Sequence, residues 1–209
     1  DWSAHEGQRW FLRAARERGV EHFIAIAYSP PVWMTKNGKR APDDSVGKSN
    51  LAEGREAEFA AYLADILQHF EEHEGIRFQA VSPVNEPSWS WNDSAQEGNR
   101  CDNAQIKALV NALHEELRRR NLDIEIDVAE AAEIAALLDD EDVRTLIPGA
   151  DYYRGHDNTA KYGGKYREYI KDFLGDPAFA RKIGRKLSYH AYWADHAKDR
   201  DRLVAYRLA

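Results

Sequence analysis

Four apolar segments, each followed by a stretch with helical periodicity, divide the chain into repeated units. They cover residues 22–28, 77–84, 124–129 and 187–193. Their apolar character is continuous rather than alternating, which is typical of parallel strands that are covered on both faces. The pattern therefore predicts four parallel β-strands.

Helices are predicted between these strands. Residues 56–72 and 103–120 both place apolar side chains at helical spacing along one face, and Gly75 is a suitable terminator for the first of them. Weaker patterns predict further helices over residues 8–18, 133–146, 166–173 and 199–208. Strand and helix in alternation indicate right-handed βαβ units and an α/β fold.

The spacing of the strands indicates the architecture. Their first residues are 22, 77, 124 and 187. This spacing corresponds to a long form of the βα unit that repeats in an eight-stranded (β/α)8 TIM barrel. Eight units of that size need roughly 400 residues, so residues 1–209 are expected to form about half of a barrel. A complete, doubly wound domain of four or five strands remains the alternative.

Composition narrows the range of functions. The chain has 43% hydrophobic and 31% charged residues with a net charge of -7, which is typical of a globular domain and argues against nucleic acid as a partner. No apolar run is long enough for a membrane-spanning helix. The single cysteine, Cys101, excludes a disulfide framework within the chain and a cysteine-based zinc site.

The predicted strand ends carry the candidate chemistry, because ligands bind at the carboxyl ends of parallel strands. Aromatic, amide, imidazole and carboxylate side chains follow the first, second and fourth strands: Trp33, Asn85, Glu86, Trp89, Trp91, His190, Tyr192 and Trp193. Sugars bind such sites because their C–H faces stack on aromatic rings while their hydroxyls need fixed donors and acceptors. Glu86 is the candidate proton donor, and Asn85 is the candidate hydroxyl contact.

Other groups of polar side chains are alternatives to this site. His69 and His73 have the spacing of a zinc-binding helix, but a solvated helix end explains them better. The acidic residues 139–142 fit an exposed helix corner better than a calcium site. Glu130, at the end of the third strand, is a candidate substrate contact and an alternative second carboxylate, whereas Glu133 is expected to begin the next helix.

The motifs at the strand ends resemble glycoside hydrolase family 30. They are Ser29-Pro30-Pro31-Val32-Trp33-Met34 with Asn37-Gly38, Ser82-Pro83-Val84-Asn85-Glu86-Pro87 with Trp89 and Trp91, Gln96-Glu97-Gly98, and His190-Ala191-Tyr192-Trp193. In order along the chain they are similar to the family's third, fourth and sixth barrel strands. The resemblance therefore implies that the chain covers strands three to six of a (β/α)8 barrel.

The resemblance also implies an activity, namely retaining hydrolysis of β-linked polysaccharide without a metal or cofactor. Glu86 then corresponds to the general acid/base, Asn85 to the residue that binds the 2-hydroxyl, and Trp33, His190 and Tyr192 to the subsite of the sugar being cleaved. The loop with Trp89 and Trp91 is most similar to that of endo-β-1,6-galactanase-like members.

Two consequences of the resemblance concern the protein as a whole. The family's nucleophile is a Glu on the seventh strand, expected beyond residue 209, so residues 1–209 alone are expected to be inactive. The parent protein is expected to be secreted or periplasmic, and its oligomeric state stays open. A non-catalytic carbohydrate-binding protein with the same aromatic cleft is the alternative.

Overall fold

A computed structural model of the chain describes residues 2–139, 158–192, 197, 200, 201, 203 and 204. Three short parallel strands form its sheet: β1 (Ile24–Ile26), β2 (Ala80–Ser82) and β3 (Glu125–Ile126). Their order in the sheet is β1-β2-β3. Ile24 lies opposite Ala80, and Ala80 lies opposite Glu125. Each strand lies inside the range that the sequence predicts.

The fourth predicted strand is present as a single bridge. Tyr189 pairs with Ala131 in the parallel direction. The Ser188 N–H donates to the Val128 carbonyl at 2.8 Å, and the His190 N–H donates to the Ala131 carbonyl at 2.6 Å. This segment thus extends the sheet next to the end of β3. The order of the strands in space follows their order in the chain, which favours an arc of a barrel, because a doubly wound sheet reverses its order.

The described helices are α1 (Glu6–Glu17), α2 (Glu56–Glu74), α3 (Asn103–Arg119), α4 (Thr159–Tyr162) and α5 (Pro177–Lys182). Short 3-10 turns form at Val32–Met34, Asp44–Val46 and Ile134–Ala136, and a π-helical turn forms at Ile170–Leu174. Helix α3 begins with a capping box in which Asp102 and Gln105 bond each other's backbone N–H groups. Helix α2 ends at Gly75, whose φ of 62° favours glycine. No described helix has the length and apolar character needed to cross a membrane.

Two of the weaker helix predictions differ from the structure. The range 133–146 forms only the turn Ile134–Ala136 in its described part, and residues 140–146 lie outside the described residues. Residues 131–138 are buried throughout, so this apolar run lacks the polar face of an amphipathic helix. In the range 166–173, residues 166–168 form no regular secondary structure, and the chain then enters the π-helical turn Ile170–Leu174. Most of 199–208 lies outside the described residues.

The core lies between the sheet and helices α2 and α3. Phe59, Leu63 and Leu67 of α2 and Leu109 and Leu113 of α3 are buried in it, together with Val81 of β2. The opposite face of β1 is open, because Ile24 is 57% exposed and Ile26 is 41% exposed. The expectation that the strands are covered on both faces is therefore wrong for β1. The helices support the carboxyl ends of β2 and β3, where the candidate site lies.

Candidate functional site

Glu86 and Glu130 follow the carboxyl ends of β2 and β3. Both have a left-handed backbone, with φ of 46° and 50°, a conformation that is uncommon for a residue with a Cβ. The Glu86 N–H donates to the Glu130 carbonyl at 2.9 Å. This hydrogen bond ties the two strand ends together, and both carboxyl side chains are buried.

His190 joins these two carboxyl groups. Its Nδ1 lies 2.7 Å from Glu86 Oε1, and its Nε2 lies 3.0 Å from Glu130 Oε2. The imidazole thus stands between the two carboxyl groups and hydrogen-bonds to both. The structure brings together three of the predicted site residues, each from a different strand end.

Asn85 is buried beside Glu86. Among the described residues, no hydrogen-bond donor reaches its buried Oδ1 atom. Buried polar atoms in folded proteins normally have a partner, so an acceptor without one next to a candidate catalytic group requires an explanation. A ligand hydroxyl would supply the missing donor.

Trp91 and Trp89 belong to the loop that follows Glu86, and both are half-buried. The Trp91 indole N–H donates to the Glu86 carbonyl at 3.0 Å, and the Trp89 backbone N–H donates to the same carbonyl at 3.1 Å. A Cβ placed on Gly98 would lie 2.2 Å from the Trp91 ring. The glycine of the Gln96-Glu97-Gly98 motif therefore makes room for the indole that holds the Glu86 backbone.

Tyr192 and Trp33 are more exposed. The Tyr192 ring contacts His190 edge to face, with 5.4 Å between ring centroids. Trp33 packs its ring edge to face against Tyr62 of α2 at 5.9 Å, and its carbonyl accepts a hydrogen bond from Arg55. Within the described residues, no hydrogen bond or ring contact joins Trp33 to the three bonded side chains. Trp193 lies outside the described residues.

Arg100 organises the loops around the site, and the sequence gives no signal for it. Its buried guanidinium donates to the carbonyls of Gly47, Ser90 and Asp43 and lies over the ring of Tyr162 at 3.8 Å. Burial lowers the pKa of Arg100 without removing its charge at neutral pH. One side chain thus links the loop after β1 to the loop after β2.

Glu133 is a second feature that the sequence does not predict correctly. It does not begin a long helix but lies buried before the short turn Ile134–Ala136. Burial raises the pKa of Glu133 to about 7, the charge of Arg167 opposes the shift, and the charge of Glu86 adds to it. Desolvation disfavours the ionised form, so this carboxyl group takes up a proton close to neutral pH.

The rival metal sites gain no support. His69 stacks on Trp2 at 3.6 Å between ring centroids, which covers one face of its ring. In the part of the chain that the structure describes, no three His, Cys, Asp or Glu side chains are arranged to hold a metal ion. Of the acidic residues 139–142, the structure describes only Asp139.

Comparisons with known proteins point to one family. The profile of O-glycosyl hydrolase family 30 matches residues 1–172. The chain is 35% identical over 124 residues to an endo-beta-1,6-galactanase of Hypocrea rufa, an alignment that covers 58% of this chain and 26% of that enzyme.

Solved structures give the same picture. A conserved exported protein from Bacteroides fragilis is similar with a TM-score of 0.75 and 26% identity, over 92% of this chain and 36% of that chain. The subfamily 8 xylanase Xyn30A of Clostridium acetobutylicum has the same fold with a TM-score of 0.59 at 18% identity, over 97% of this chain and 42% of that chain. The chain therefore spans between about a quarter and two fifths of the length of these proteins.

Proposed function

The chain belongs to O-glycosyl hydrolase family 30, and from that premise we propose that its full-length protein is a retaining glycosidase that cleaves β-linked polysaccharide. The observation that carries the proposal is the buried Glu86 at the end of β2, hydrogen-bonded to His190 in a chain of this family. Hydrolysis of a glycosidic bond needs a carboxylic acid that protonates the leaving oxygen.

Glu86 is the general acid/base in this proposal. Its Oε1 atom faces His190, which leaves Oε2 to face the glycosidic oxygen. The proton moves from Glu86 to that oxygen while the bond to the anomeric carbon breaks. In the second half of the reaction, the carboxylate takes a proton from the attacking water.

The neighbouring side chains bind the sugar. The buried Oδ1 atom of Asn85 accepts a hydrogen bond from a sugar hydroxyl, and Tyr192 and Trp89 offer rings for stacking against C–H faces. Trp33 is 62% exposed, and the proposal assigns it to the outer wall of the same subsite. Trp91 contributes by holding the Glu86 backbone.

The nucleophile is a carboxylate outside residues 1–209 in this proposal. Retaining glycosidases place their two carboxyl groups roughly 5–5.5 Å apart, on opposite sides of the anomeric carbon. The ring of His190 stands between Glu86 and Glu130 and bonds to both, so a sugar cannot take that position. Glu130 is therefore a poor candidate for the nucleophile.

We further propose an exported protein and a β-1,6-linked galactan as the first substrate to test. The galactanase relative supports the substrate, and the exported structural neighbour supports the location. The test is an assay of sugar release by the purified full-length protein from β-1,6-galactan, xylan and β-1,6-glucan. Sugar release from one of them supports the proposal, whereas glycan binding without hydrolysis would indicate the carbohydrate-binding alternative.

The role of Glu86 is tested by Glu86→Gln, which keeps the shape of the side chain but cannot donate a proton. Cleavage of the polysaccharide is expected to fall by about 10²–10⁴-fold, with glycan affinity retained. The rate of cleavage of a dinitrophenyl glycoside, whose leaving group needs no proton, should fall far less in this variant. Glu71→Gln, at an exposed carboxylate late in α2, is the control. Polysaccharide turnover within about tenfold of wild type would contradict the assignment.

A further inference from the structure

The loop that follows β2 is held at the residues on either side of Trp89. The carbonyl of Ser88 accepts a hydrogen bond from Asn158 Nδ2 at 2.7 Å, and this contact is buried. The carbonyl of Ser90 accepts a hydrogen bond from the Arg100 guanidinium at 2.8 Å. Trp89 itself is half-buried. Two side chains from outside the loop therefore fix the two carbonyls that flank the tryptophan.

Tyr162, the last residue of helix α4, holds the next part of the same loop. The side-chain amide of Asn92 donates to the Tyr162 hydroxyl at 2.7 Å. That hydroxyl donates in turn to Asp44 Oδ1 at 2.7 Å. The Arg100 guanidinium lies over the Tyr162 ring, 3.8 Å from its centroid. Tyr162 thus contacts both the loop and the arginine that bonds to the loop.

Helix α4 is attached to the core by contacts that do not involve this loop. The Asn103 N–H, at the start of α3, donates to the Lys165 carbonyl at 2.7 Å. Gly164 passes so close to the cap of α3 that a Cβ there would lie 2.4 Å from Asp102 Oδ2. The position of α4 is therefore set by the beginning of α3, and the loop is fastened to α4.

Trp91 has other supports. Its indole N–H donates to the Glu86 carbonyl, and the backbone beyond it is held where the Asp93 N–H donates to the Pro42 carbonyl at 2.9 Å. Loss of the contacts from α4 is therefore expected to displace Trp89 more than Trp91 or Glu86.

We propose that Asn158 and Tyr162 are positioning residues that act through Trp89: they fix the place of its ring against the sugar and so set the affinity of the site for glycan. This assignment rests on the proposed function, in which Trp89 stacks on a C–H face of the substrate. A ring that is fixed before the sugar arrives binds more tightly, because the loop does not have to be ordered during binding.

The first test is a double-mutant cycle between Asn158→Ala and Trp89→Ala in the full-length protein. Calorimetric titration with oligosaccharides of β-1,6-galactan, xylan and β-1,6-glucan gives the affinities, with Glu86→Gln in every protein to prevent cleavage. Asn158→Ala should weaken binding about three- to tenfold, the effect of one hydrogen bond, and should have little effect when residue 89 is already alanine. An effect of the same size in both backgrounds would overturn the proposal.

Tyr162→Phe is the milder second variant, because it removes one hydroxyl and keeps the ring against Arg100. It should show the same dependence on Trp89 in the titrations. With Glu86 intact, KM for the polysaccharide should rise about three- to tenfold while kcat stays within about twofold of wild type. An unchanged KM together with an unchanged affinity would refute the role of Tyr162.

Two control variants remove similar groups that do not hold this loop. Tyr166→Phe removes a hydroxyl that donates to the Lys48 carbonyl at 3.4 Å. Asn111→Ala removes an amide oxygen that accepts from Lys182 Nζ at 2.6 Å. Both should keep the glycan affinity of wild type. A loss of affinity in these controls equal to that in Tyr162→Phe and Asn158→Ala would contradict a specific role for α4.

A third measurement needs no glycan. Hydrogen–deuterium exchange of the amides in residues 88–92 should be faster in Asn158→Ala and Tyr162→Phe than in wild type and in the two controls. Exchange at the wild-type rate in both variants would overturn the proposal whatever the titrations give. Binding that depends on Trp89 in this way, without hydrolysis by the protein with Glu86 intact, would instead refute the proposed function alone. Absence of binding to all three glycans would refute both.

Discussion

Glu86 and Glu130 both hold a left-handed backbone, which costs a residue with a Cβ on the order of 1 kcal/mol or more. The surrounding contacts compensate for this, because the Glu86 carbonyl accepts from both Trp91 and Trp89. Backbone strain of this kind clusters at active sites and ligand-binding positions, and here it lies next to the unsatisfied Asn85 oxygen. These two features together support the proposed site.

Gly98 offers a test of the support behind Glu86. Gly98→Ala places a methyl group inside the Trp91 ring, so the indole must move and its bond to the Glu86 carbonyl is lost. We expect a decrease of about 1–3 kcal/mol in the free energy of unfolding and a loss of glycan cleavage larger than the loss of glycan binding. Urea denaturation and steady-state kinetics measure the two effects.

Gly7→Ala is the matched control for Gly98→Ala. A Cβ on Gly7 meets no atom within 4 Å, and Gly7 lies in helix α1, where alanine is the better helix former. This variant should keep full activity. Equal behaviour of the two alanine variants would contradict the role assigned to Gly98.

The raised pKa of Glu133 predicts that the free energy of unfolding depends on pH. Its pKa in the folded protein, about 7, lies above the ordinary value of 4.5, so the folded state binds the proton more tightly than the unfolded state. Its contribution is therefore most favourable below about pH 4.5 and is lost as the pH rises through about 7, by up to about 3 kcal/mol.

The Glu133→Gln variant tests the direction of this pH dependence. Gln resembles the protonated carboxyl group, so the variant should be more stable than wild type at pH 8, and the difference should shrink towards pH 5. Urea denaturation at a series of pH values gives the difference directly. Glu125→Gln should show no such trend, because its side chain is exposed. A constant difference between wild type and Glu133→Gln across this pH range would show that the Glu133 carboxyl is not perturbed.

The sequence predicts the three joined site residues, because parallel strands that follow one another along the chain end at the same edge of the sheet. It does not predict Arg100 or Glu133. Arg100 acts through carbonyl groups of distant loops. Because every residue has a backbone carbonyl, the sequence does not show which of them accept a hydrogen bond from Arg100. An acidic residue such as Glu133 is common at the start of a helix, and the sequence therefore predicts that role. Its burial is visible only in the structure.

At the scale of elements, the amphipathic helices α2 and α3 form where the apolar periodicity predicts them, because one apolar face and one polar face suffice to define a surface helix. Residues 131–138 are different, since the segment is buried on all sides. Periodicity carries no information there, and tertiary packing selects a short turn. The fourth strand is reduced to the bridge between Ala131 and Tyr189, which a pattern of apolar residues cannot distinguish from a longer strand.

Arg100 makes the two loops around the site depend on each other. Arg100→Lys keeps the charge but cannot reproduce the planar set of donors that reaches the carbonyls of Gly47, Ser90 and Asp43. We expect a decrease of roughly 3 kcal/mol in the free energy of unfolding, together with faster limited proteolysis in residues 43–47 and 88–92. Denaturation and mass spectrometry of the fragments measure these effects.

Arg119→Lys is the control for the Arg100 variant. Arg119 pairs with Glu116 at the exposed end of α3, and exposed pairs contribute about 1 kcal/mol or less. Its substitution should change neither stability nor proteolysis appreciably. A comparable decrease in the free energy of unfolding in both variants would contradict the role of Arg100 in joining the two loops.

At the scale of the whole molecule, the sequential order of parallel strands and the structural neighbours agree on the fold. The share of each relative that the chain spans is between 26% and 42%. The open face of β1 is consistent with an arc of a larger sheet.

These observations predict the behaviour of residues 1–209 expressed alone. Among the described residues, β1 pairs only with β2, and Ile24 and Ile26 are exposed. An unpaired edge with an apolar face is a template for association. We expect concentration-dependent dimers or larger species by light scattering, and Ile24→Lys with Ile26→Lys should reduce them. Val20→Lys, at an exposed apolar residue outside the strands, should not.

The same polypeptide should release no sugar from an aryl β-glycoside, because Glu86 needs a second carboxylate on the opposite side of the anomeric carbon. Glu130 cannot take that place while the imidazole of His190 lies between the two carboxyl groups. Monomeric residues 1–209 that cleave the glycoside with retention would contradict this prediction. The nucleophile would then have to lie within the chain, and carboxylates other than Glu130 would be the first to substitute.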